Sequence, residues 1–501
     1  MAELLYLVLA AILIAIALDP KHGVRRDGAN FARRHELASF RDAQDGGSLQ
    51  LGRSRNGQPL YLPPRSSLLV VGPTQSGKTT NLVIPAIRAW KGPVLAASVK
   101  SDLLASSFAD RQSKGPCWVV DPGSATGMES ASWSPLQRAQ TRSGAKAVVA
   151  DLLDHLRASA SSADGEFWQA IAGRFLAPLL QAAALSGGTI DDVVSWIDGF
   201  EVDLVASILA SHHAFKAEAA WLACCSRDER LIGSALATAL TVIEPIAELG
   251  GGPALRATDL LDQSGSIYLC APIDDQRRYA GLFVSIIRDV LGEVGRRATR
   301  EARAIHPPLL LVLDEATAIA PLAELDSLAA TLVGQGVTLV TVVQDLAQLR
   351  ARYGPKAETI VSNHAVRVFL PGIADLPSLE LLSALAGERS YPRGRSRESR
   401  PYGLSRPASP GERRPLITSH ELRTMPRGEA MVLAGSLPVF RLRLGGRTKA
   451  VAIQREGRQV GWGLGHYASR VWKSKPKSQC SLGQRRGPLL SRWTRSKSSQ
   501  A

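Results

Sequence analysis

One glycine-rich stretch has the residue types and spacing of a triphosphate-binding loop. It fits the pattern G-x-x-x-x-G-K-[ST] at every fixed position and is followed by a second threonine; its residues are Gly72, Pro73, Thr74, Gln75, Ser76, Gly77, Lys78, Thr79 and Thr80. A short apolar run, 67–71, precedes the loop, and an apolar-periodic helix is predicted from Thr79 to Trp90. A strand before and a helix after are the context that this motif requires.

The chemistry of such a loop follows from its backbone. Its N–H groups point inward and form a nest for the β-phosphate, and the following helix adds partial positive charge at its N-terminus. Gly72 and Gly77 allow the tight path of the chain. Lys78 reaches the β- and γ-phosphates, and Thr79 supplies a hydroxyl to Mg²⁺. We therefore predict that the loop and Thr80 bind ATP with Mg²⁺, and that Lys78 is catalytic.

Two adjacent carboxylates follow a second apolar run, 309–313. Asp314 and Glu315 would stand at the C-terminal end of a buried strand, where ligands bind in open α/β sheets. Asp314 is predicted to hold Mg²⁺ in the nucleotide site, and Glu315 is predicted to polarise the attacking water. Taken alone, this pattern is also compatible with a strand that ends in two exposed acids.

Further catalytic groups are suggested by position. Gln344 ends the next apolar run, 337–343, where a polar residue can sense the γ-phosphate or orient water, so we predict a catalytic role for it. A multimeric motor also needs a cation from the neighbouring subunit to stabilise the transferring phosphoryl group. Arg367 and Arg230 are candidates, and each is equally compatible with a structural or solvated arginine.

Short apolar runs alternate with helical patterns, which predicts an α/β fold with a parallel sheet covered on both faces. Strands are predicted at 67–71, 92–99, 117–121, 266–273, 308–316, 337–345, 365–372 and 429–435. Between about 130 and 240 the apolar residues recur at helical spacing instead. The sheet is therefore interrupted once, by an inserted all-α domain.

The N-terminus carries an unbroken apolar run of fifteen residues, 4–18. A perpendicular membrane helix needs about 20 residues, with a lower limit near 17. Glu3 replaces the basic segment of a signal peptide, and the basic residues from Lys21 onward place the bulk of the chain in the cytosol by the positive-inside rule. We predict a short membrane anchor, with a signal peptide or a buried helix as the alternatives.

The formal net charge of +15 is confined to two polar stretches. Residues 391–414 carry a net charge of +5 and residues 452–501 carry +10, so the rest of the chain is balanced. Such stretches attract nucleic acid or anionic lipid, and a solvated, disordered tail is an equal alternative. The five cysteines have neither metal-ligand nor disulfide spacing, which indicates reduced thiols.

Taken together, these features resemble the type IV coupling proteins, the TraG-like ATPases of bacterial conjugation and secretion. The resemblance covers about residues 50–450, and its motifs stand in order along the chain: GPTQSGKTTNLVIPAI, SVKSDLL, WSPL (with Ser134 where Asn is usual), EFWQAIAGRFLAPLL, LLLVLDEATAIAPL, VTLVTVVQDLAQLRARYG and RPLITSHELRTMPRGEAMVLAGSLP. The phosphate loop alone indicates only an NTPase. The ordered series of motifs, with a helical stretch between the phosphate loop and the two acids, is more specific to this family.

The resemblance implies a RecA-like P-loop NTPase domain with an inserted all-α domain that selects substrate and a short N-terminal membrane helix. It implies homo-hexamers, single-stranded DNA in a central channel, a relaxase and type IV secretion channel components as partners, and the bacterial inner membrane as location with most of the chain cytoplasmic. The predicted parts are a membrane anchor at 1–18, a linker with a small hairpin at 19–62, the nucleotide-binding domain at 63–129 and 241–450, the all-α domain at 130–240, a flexible basic loop at 391–415 and a basic disordered tail at 451–501.

Two departures from the family leave alternatives open. Many members have two transmembrane helices, whereas this sequence has one marginal segment, and the tail after 452 resembles nothing in the family. An FtsK-like translocase of double-stranded DNA is one alternative, although the region after 440 has no winged-helix pattern. A membrane receptor that binds nucleotide and exports proteins without pumping DNA is the other.

Overall fold

The computed structural model describes residues 28–43, 48–99, 101–157, 163–391 and 412–445. The predicted anchor and the predicted tail lie outside these residues, as does most of the predicted basic loop.

The described chain contains fifteen strands, six before residue 133 and nine after residue 251. They are β1 Gln50–Arg53, β2 Pro59–Tyr61, β3 Leu68–Val71, β4 Val94–Ser98, β5 Cys117–Val120, β6 Ala131–Ser132, β7 Gly252–Ala254, β8 Ser266–Cys270, β9 Leu309–Asp314, β10 Val337–Val343, β11 Val366–Phe369, β12 Glu388–Tyr391, β13 Glu412–Pro415, β14 Glu429–Ala434 and β15 Phe440–Arg443.

Helices lie between these strands. The α-helices are α1 Ile84–Ala89, α2 Asp102–Gln112, α3 Arg142–Arg157, α4 Ala163–Ser186, α5 Ile190–Asp198, α6 Val202–Ser211, α7 Phe215–Cys225, α8 Glu229–Ala247, α9 Ala257–Asp262, α10 Gln276–Glu301, α11 Ala316–Ile319, α12 Leu325–Gln335, α13 Leu346–Tyr353, α14 Lys356–Asn363, α15 Leu376–Ala386 and α16 Ser419–Arg423. Short 3₁₀ helices cover Arg34–Phe40, Pro135–Arg138 and Ile273–Asp275, and a π-helical turn covers Thr79–Val83.

Eleven of the strands form one sheet, in the order β2-β1-β15-β14-β11-β3-β10-β9-β4-β8-β5. From β11 to β5 all neighbours are parallel, and β14, β15, β1 and β2 extend the β11 edge as antiparallel strands. The mixed α/β fold with a mostly parallel sheet is the fold class that the sequence predicts.

The central strands are apolar because both faces of the sheet are covered. In β3, Leu69 and Val71 belong to one buried cluster, while Leu68 and Val70 belong to the other. All four side chains are fully buried. This alternation, repeated in β9 and β10, fixes the register of the strands whose C-terminal ends carry the predicted site.

Between β6 and β7 the described chain is helical, from Arg142 to Ala247. β6 and β7 pair with each other, so the chain leaves and re-enters this helical segment at neighbouring points. Trp221 is fully buried there, with its ring centroid 6.1 Å from that of Phe175. The helices begin 12 residues later than the predicted boundary of 130 and continue to residue 247 rather than 240.

The stretch predicted as a linker, 19–62, is structured where it is described. Residues 50–61 form the β1–β2 hairpin, and β1 pairs with β15 near the other end of the chain. Leu51 and Leu60 are buried in the core, as is Phe40 of the preceding 3₁₀ helix. The hairpin is therefore an edge of the sheet and not part of a linker.

Among the described residues, one helix, α8, is long and apolar enough to cross a membrane. Eight of its residues are buried, and it packs against α4, α5 and α10. These contacts are those of a core helix, since its apolar face is already covered by protein.

Candidate nucleotide site

The predicted phosphate loop connects β3 to the π-helical turn Thr79–Val83, which continues into α1. Gly77 has φ of +91°, a conformation that side-chain-bearing residues rarely adopt. A Cβ on Gly72 would lie 2.8 Å from Cβ of Leu370 and 2.9 Å from Oγ of Ser76. Both predicted glycines are thus required by the backbone path, one by its conformation and the other by the lack of space.

Lys78 lies inside the loop. Its side chain is 6% exposed, and Nζ donates hydrogen bonds to the carbonyl oxygens of Gly72 at 2.5 Å and Pro73 at 3.1 Å. Thr74 and Gln75 form the exposed crest of the loop, and Thr80 is exposed on the helix that follows. The ammonium group is therefore held against the loop by neutral carbonyls.

The two predicted motifs meet in the fold. Thr79 Oγ1 donates to Asp314 Oδ2 at 2.9 Å, although 235 residues separate them in sequence. The Ser98 hydroxyl, at the end of β4, lies 3.4 Å from the same carboxylate oxygen. Burial raises the pKa of Asp314, the adjacent Glu315 raises it further, and Thr79 and Lys78 oppose the change. The raised pKa means that the ionised form of Asp314 is disfavoured unless a cation lies nearby.

Glu315 follows β9 in the left-handed conformation, with φ of +61° and ψ of +51°. Such a conformation is uncommon for a residue other than glycine and often marks a functional position. It turns the chain from the strand into α11 directly after Asp314 and leaves the Glu315 side chain partly exposed.

Gln344 follows β10, the strand inserted between the loop strand and the acid strand. β10 pairs in parallel with β3 on one side and with β9 on the other. The Gly72 amide donates to the Val343 carbonyl at 3.2 Å, which ties the start of the loop to the residue before Gln344. The backbone N–H of Gln344 donates to the side-chain Oε1 of Gln348 at 3.3 Å. Gln344 therefore lies at the same edge of the sheet as the two motifs.

The two candidate arginine fingers occupy different environments. Arg367 lies within β11, in register with Leu69, and burial lowers its pKa. Its Nε is buried without a hydrogen-bond partner among the described residues. Arg230 is exposed in the first turn of α8, in the helical segment. Arg230 is thus exposed, whereas Arg367 is only partly exposed.

The residues present fit a magnesium nucleotide. Mg²⁺ prefers oxygen ligands, and the Thr79 hydroxyl and Asp314 carboxylate are such ligands within hydrogen-bond distance of each other. The left-handed Gly77 and the N-terminus of the following helix form the type of backbone cradle that binds phosphate.

Two family models match the chain. One, described as type IV secretory system conjugative DNA transfer, matches residues 29–214, and the other, described as the TraM recognition site of TraD and TraG, matches residues 308–427. Both cover parts of the site, because the first contains the phosphate loop and the second contains β9 and β10. Over both stretches the chain is similar to the type IV coupling proteins.

Relatives of known name support the same similarity to the type IV coupling proteins. Two conjugal transfer proteins TraG of Escherichia coli are 25% and 26% identical to this chain, over alignments of 404 and 402 positions that cover 72% of it. The same stretches are 61% and 62% of those proteins, so the chain spans about three fifths of the length of the curated relatives it matches.

Solved structures show the same fold. The bacterial conjugative coupling protein TrwB without its first 70 residues, in an unbound form, superposes with a TM-score of 0.62 at 16% identity, covering 83% of this chain and 93% of that one. TrwB in complex with ADP and Mg²⁺ also gives 0.62, at 17% identity, covering 83% and 94%. The RecA-like P-loop NTPase fold of the coupling proteins is therefore the fold of this chain.

Sequence reasoning did not identify Ser98 as a site residue. Its hydroxyl reaches Asp314 because β4 lies directly beside β9 in the sheet. The sequence signal for Ser98 is the segment SVKSDLL, which starts at this residue and is one of the motifs that resemble the coupling proteins.

Proposed function

We propose that this chain is an ATP-hydrolysing coupling protein of conjugation. It recruits a DNA–relaxase substrate and moves single-stranded DNA, or nucleoprotein, through a type IV secretion channel. One observation carries the catalytic part of this proposal, the 2.9 Å hydrogen bond between Thr79 and Asp314. This bond joins the loop to the acid strand. If the two motifs were unrelated, we would not expect the fold to place them within hydrogen-bond distance of each other.

Each site residue has a defined task in this proposal. When bound, Mg²⁺ would supply charge neutralisation at the phosphates, held by Thr79 and, through water, by Asp314. Lys78 would exchange its carbonyl partners in the loop for phosphate oxygens. Glu315 would accept a proton from the attacking water, and Gln344 would orient that water at the end of β10.

The remaining parts of the proposal concern assembly and location. Subunits form a homo-hexamer around the DNA, with an arginine from the neighbouring subunit completing each site, and exposure favours Arg230 over Arg367 in that role. The helical segment, 142–247, selects the substrate. Residues 1–18 anchor the protein in the bacterial inner membrane, with the described chain in the cytoplasm.

Hydrolysis by the full-length chain tests the site. We expect ATP turnover that single-stranded DNA stimulates at low salt, and loss of most of it, roughly a hundredfold or more, in Lys78→Ala and in Glu315→Gln. The Glu315→Gln variant should retain nucleotide, because it removes the base and leaves the phosphate cradle intact. The matched controls are Lys91→Ala and Glu380→Gln, which alter exposed residues outside the loop and the acid strand.

The outcomes separate the alternatives. Equal hydrolysis by the parent and both site variants would show that Lys78 and Glu315 are not the catalytic groups. Turnover that responds to double-stranded but not single-stranded DNA would favour an FtsK-like translocase. Turnover that ignores DNA at low salt would favour a receptor for protein substrates.

A further inference from the structure

A groove lies in the helical segment, away from the phosphate loop and the acid strand. It has a volume of about 790 Å³ and is formed by one face each of α3, α4 and α7. A volume of this size is typical of sites that accept a ligand or several side chains of a partner.

The walls of the groove are made of small and aliphatic side chains. On α4 they come from Gly173, Ala177 and Pro178, and on α3 from Val149 and Leu153. A Cβ on Gly173 would lie 3.1 Å from Cγ1 of Val149 and 3.4 Å from Cδ1 of Leu153. The lack of a side chain at Gly173 thus lets α3 pack closely against α4 beside the groove.

A proline helps to hold the third wall in place. Pro178 lies inside α4 and has no N–H to donate to the carbonyl of Arg174, four residues earlier. The Cys224 thiol of α7 approaches that carbonyl oxygen at 3.9 Å. The residues of α7 that line the groove recur at helical spacing and lie on one side of the helix, and Arg227 follows the end of α7; the α7 residues are Ala217, Ala220, Ala223 and Cys224.

Four basic side chains surround the groove, and they are Arg142, Lys146, Arg174 and Arg227. All four are exposed, and none of them makes an ion pair with another described residue. The groove lining contains no acidic residue within the described chain. Since no described acidic residue pairs with these four cations, we expect them to attract an acidic partner.

The floor of the groove contains a buried acceptor. Gln181 is 6% exposed, and its Oε1 has no hydrogen-bond partner among the described residues. Leaving a buried amide oxygen without a donor costs about 1–3 kcal/mol. A ligand that inserts an N–H or O–H group at this point would recover that free energy.

We propose that this groove binds an acidic amphipathic segment of a partner protein. The apolar walls take the aliphatic or aromatic side chains of the segment, the four rim cations pair with its carboxylates, and Gln181 accepts a hydrogen bond from it. The proposal deepens the substrate-selecting role proposed for the helical segment and does not depend on ATP hydrolysis.

A nucleic acid is the less suitable occupant. Phosphates would also attract the rim cations, but single-stranded nucleic acid is usually held by aromatic side chains on which the bases stack. None of the described residues that line the groove is aromatic, and its walls are alanine, glycine, valine, leucine and proline. These walls match apolar side chains in size and chemistry.

Peptide binding to the full-length chain tests the proposal. The probe is a fluorescein-labelled helical peptide of about 18 residues with leucine and phenylalanine on one face and glutamate on the other. We expect it to bind, and we expect the same peptide with lysine in place of glutamate not to bind. Arg174→Glu should weaken binding about fivefold or more, because it replaces an attraction by a repulsion.

A neutral variant separates occupancy of the groove from general electrostatic attraction. Ala220→Trp fills the groove without a change in charge and should weaken binding at least about tenfold. The matched controls are Ala219→Trp and Lys216→Glu, which make the same changes at exposed positions of α7 outside the groove lining and should leave binding unchanged.

Two results would overturn the proposal. One is unchanged peptide affinity in both Arg174→Glu and Ala220→Trp. The other is loss of labelled oligo-dT binding in these two variants while the peptide still binds, which would make the groove a nucleic-acid site. ATP hydrolysis by the same variants should equal that of the parent, so a failure of the catalytic proposal is distinguishable from a failure of this one.

Discussion

The Asp314 carboxylate is buried at the end of β9 with two hydroxyl groups, those of Thr79 and Ser98, against one of its oxygens. Burial raises its pKa, which means that the ionised form is disfavoured in the absence of a cation. A buried charge that is not fully compensated lowers the stability of the folded chain. The free energy of unfolding without ligand is therefore reduced by the same group that would bind magnesium.

Asp314→Asn is expected to have opposite effects on stability and binding. The neutral amide removes the buried charge, so the midpoint of thermal unfolding without ligand should rise by about 1–3 °C. The further rise that Mg-ATP gives the parent should be lost. Thermal melts with and without Mg-ATP measure both effects, with exposed Asp198→Asn as the control. A lower midpoint without ligand, or an unchanged response to Mg-ATP, would contradict this account.

At the scale of residues, the sequence was informative where chemistry restricts the choice of side chain. The loop from Gly72 to Thr79 and the acid Asp314 stand out because a phosphate and Mg²⁺ site would allow few residue types at fixed spacing, and the fold brings the two together. Their binding roles stay predictions. The left-handed conformation of Glu315 could not be predicted, because it arises from the turn between β9 and α11 and a glutamate gives no signal for it. The roles of Glu315 and Gln344 in hydrolysis stay predictions.

A buried arginine joins one helix to the N-terminal ends of two strands. Arg111 of α2 is fully buried, and burial lowers its pKa. Its Nε donates to the Ser266 hydroxyl at 2.7 Å, and its other nitrogens donate to the carbonyls of Trp90, Gly92 and Ser264. Nothing in the sequence around Arg111 distinguishes it from a surface arginine, so only the fold reveals its role.

Arg111→Leu should lower the free energy of unfolding by about 2–4 kcal/mol, because the strand-end carbonyls lose their donor inside the core. Urea unfolding of the parent and the variant measures the change. Arg300→Leu is the control, since the Arg300 side chain is 74% exposed and its loss should stay within about 0.5 kcal/mol. Equal stability of the two variants would show that the carbonyls find other partners.

His364 connects α14 to the sheet. Its Nδ1 lies 2.7 Å from the Ile360 carbonyl oxygen, and its Nε2 lies 2.9 Å from Oγ1 of Thr341 in β10. Since the carbonyl can only accept, Nδ1 carries the proton and Nε2 accepts from the threonine. Complete burial lowers the pKa of this ring from 6.5 to about 4.

The pKa of His364 predicts a loss of stability in mild acid. Between pH 6.5 and 4 the unfolded chain binds a proton at His364 and the folded chain does not. The contribution of His364 to the free energy of unfolding is therefore complete above pH 6.5 and is lost as the pH falls. By about pH 5 the loss should reach roughly 2 kcal/mol.

Unfolding free energies of the parent and His364→Leu at about pH 7 and pH 5 measure this contribution. The variant should be less stable at pH 7 because it lacks the two hydrogen bonds, but its stability should fall less between the two values. The exposed His35→Leu should keep the pH profile of the parent. A variant profile parallel to that of the parent would mean that His364 does not titrate in this range.

At the scale of elements, the long apolar strands and the helical segment were predictable, and the antiparallel edge was only partly so. The central strands are continuous apolar runs, because both faces are covered. By contrast, β1 and β2 are short and have polar neighbours, and β15, which pairs with β1, lies almost 400 residues away in sequence. Pairing over that separation leaves no local signal, so a linker with a small hairpin was the nearest prediction available.

At the scale of the whole molecule, the positive charge and the candidate nucleotide site lie in different parts of the sequence. All described site residues precede residue 345, and the described chain belongs to one unit that ends at Arg447. The net charge of +10 lies beyond that unit, at 452–501. A chain that ends at Arg447 should therefore keep the nucleotide site while losing most of the excess positive charge.

Truncation at Arg447 should change the salt dependence of DNA binding more than the basal rate of hydrolysis. If the tail neutralises about five phosphates of a single strand, the slope of log K against log salt becomes shallower by about 3.5, at about 0.7 per phosphate. Basal ATP turnover should be unchanged. Titration of labelled oligo-dT at several salt concentrations measures the slope.

A second chain separates charge from length, since it keeps residues 448–501 but has glutamine in place of their twelve lysines and arginines. If the tail acts through its charge, this chain and the truncated one should give the same shallow slope. A steep slope in both would exclude the tail from the DNA contact and assign the salt dependence to the folded unit. A steep slope in the neutralised chain alone would mean that the tail contributes by length and not by charge.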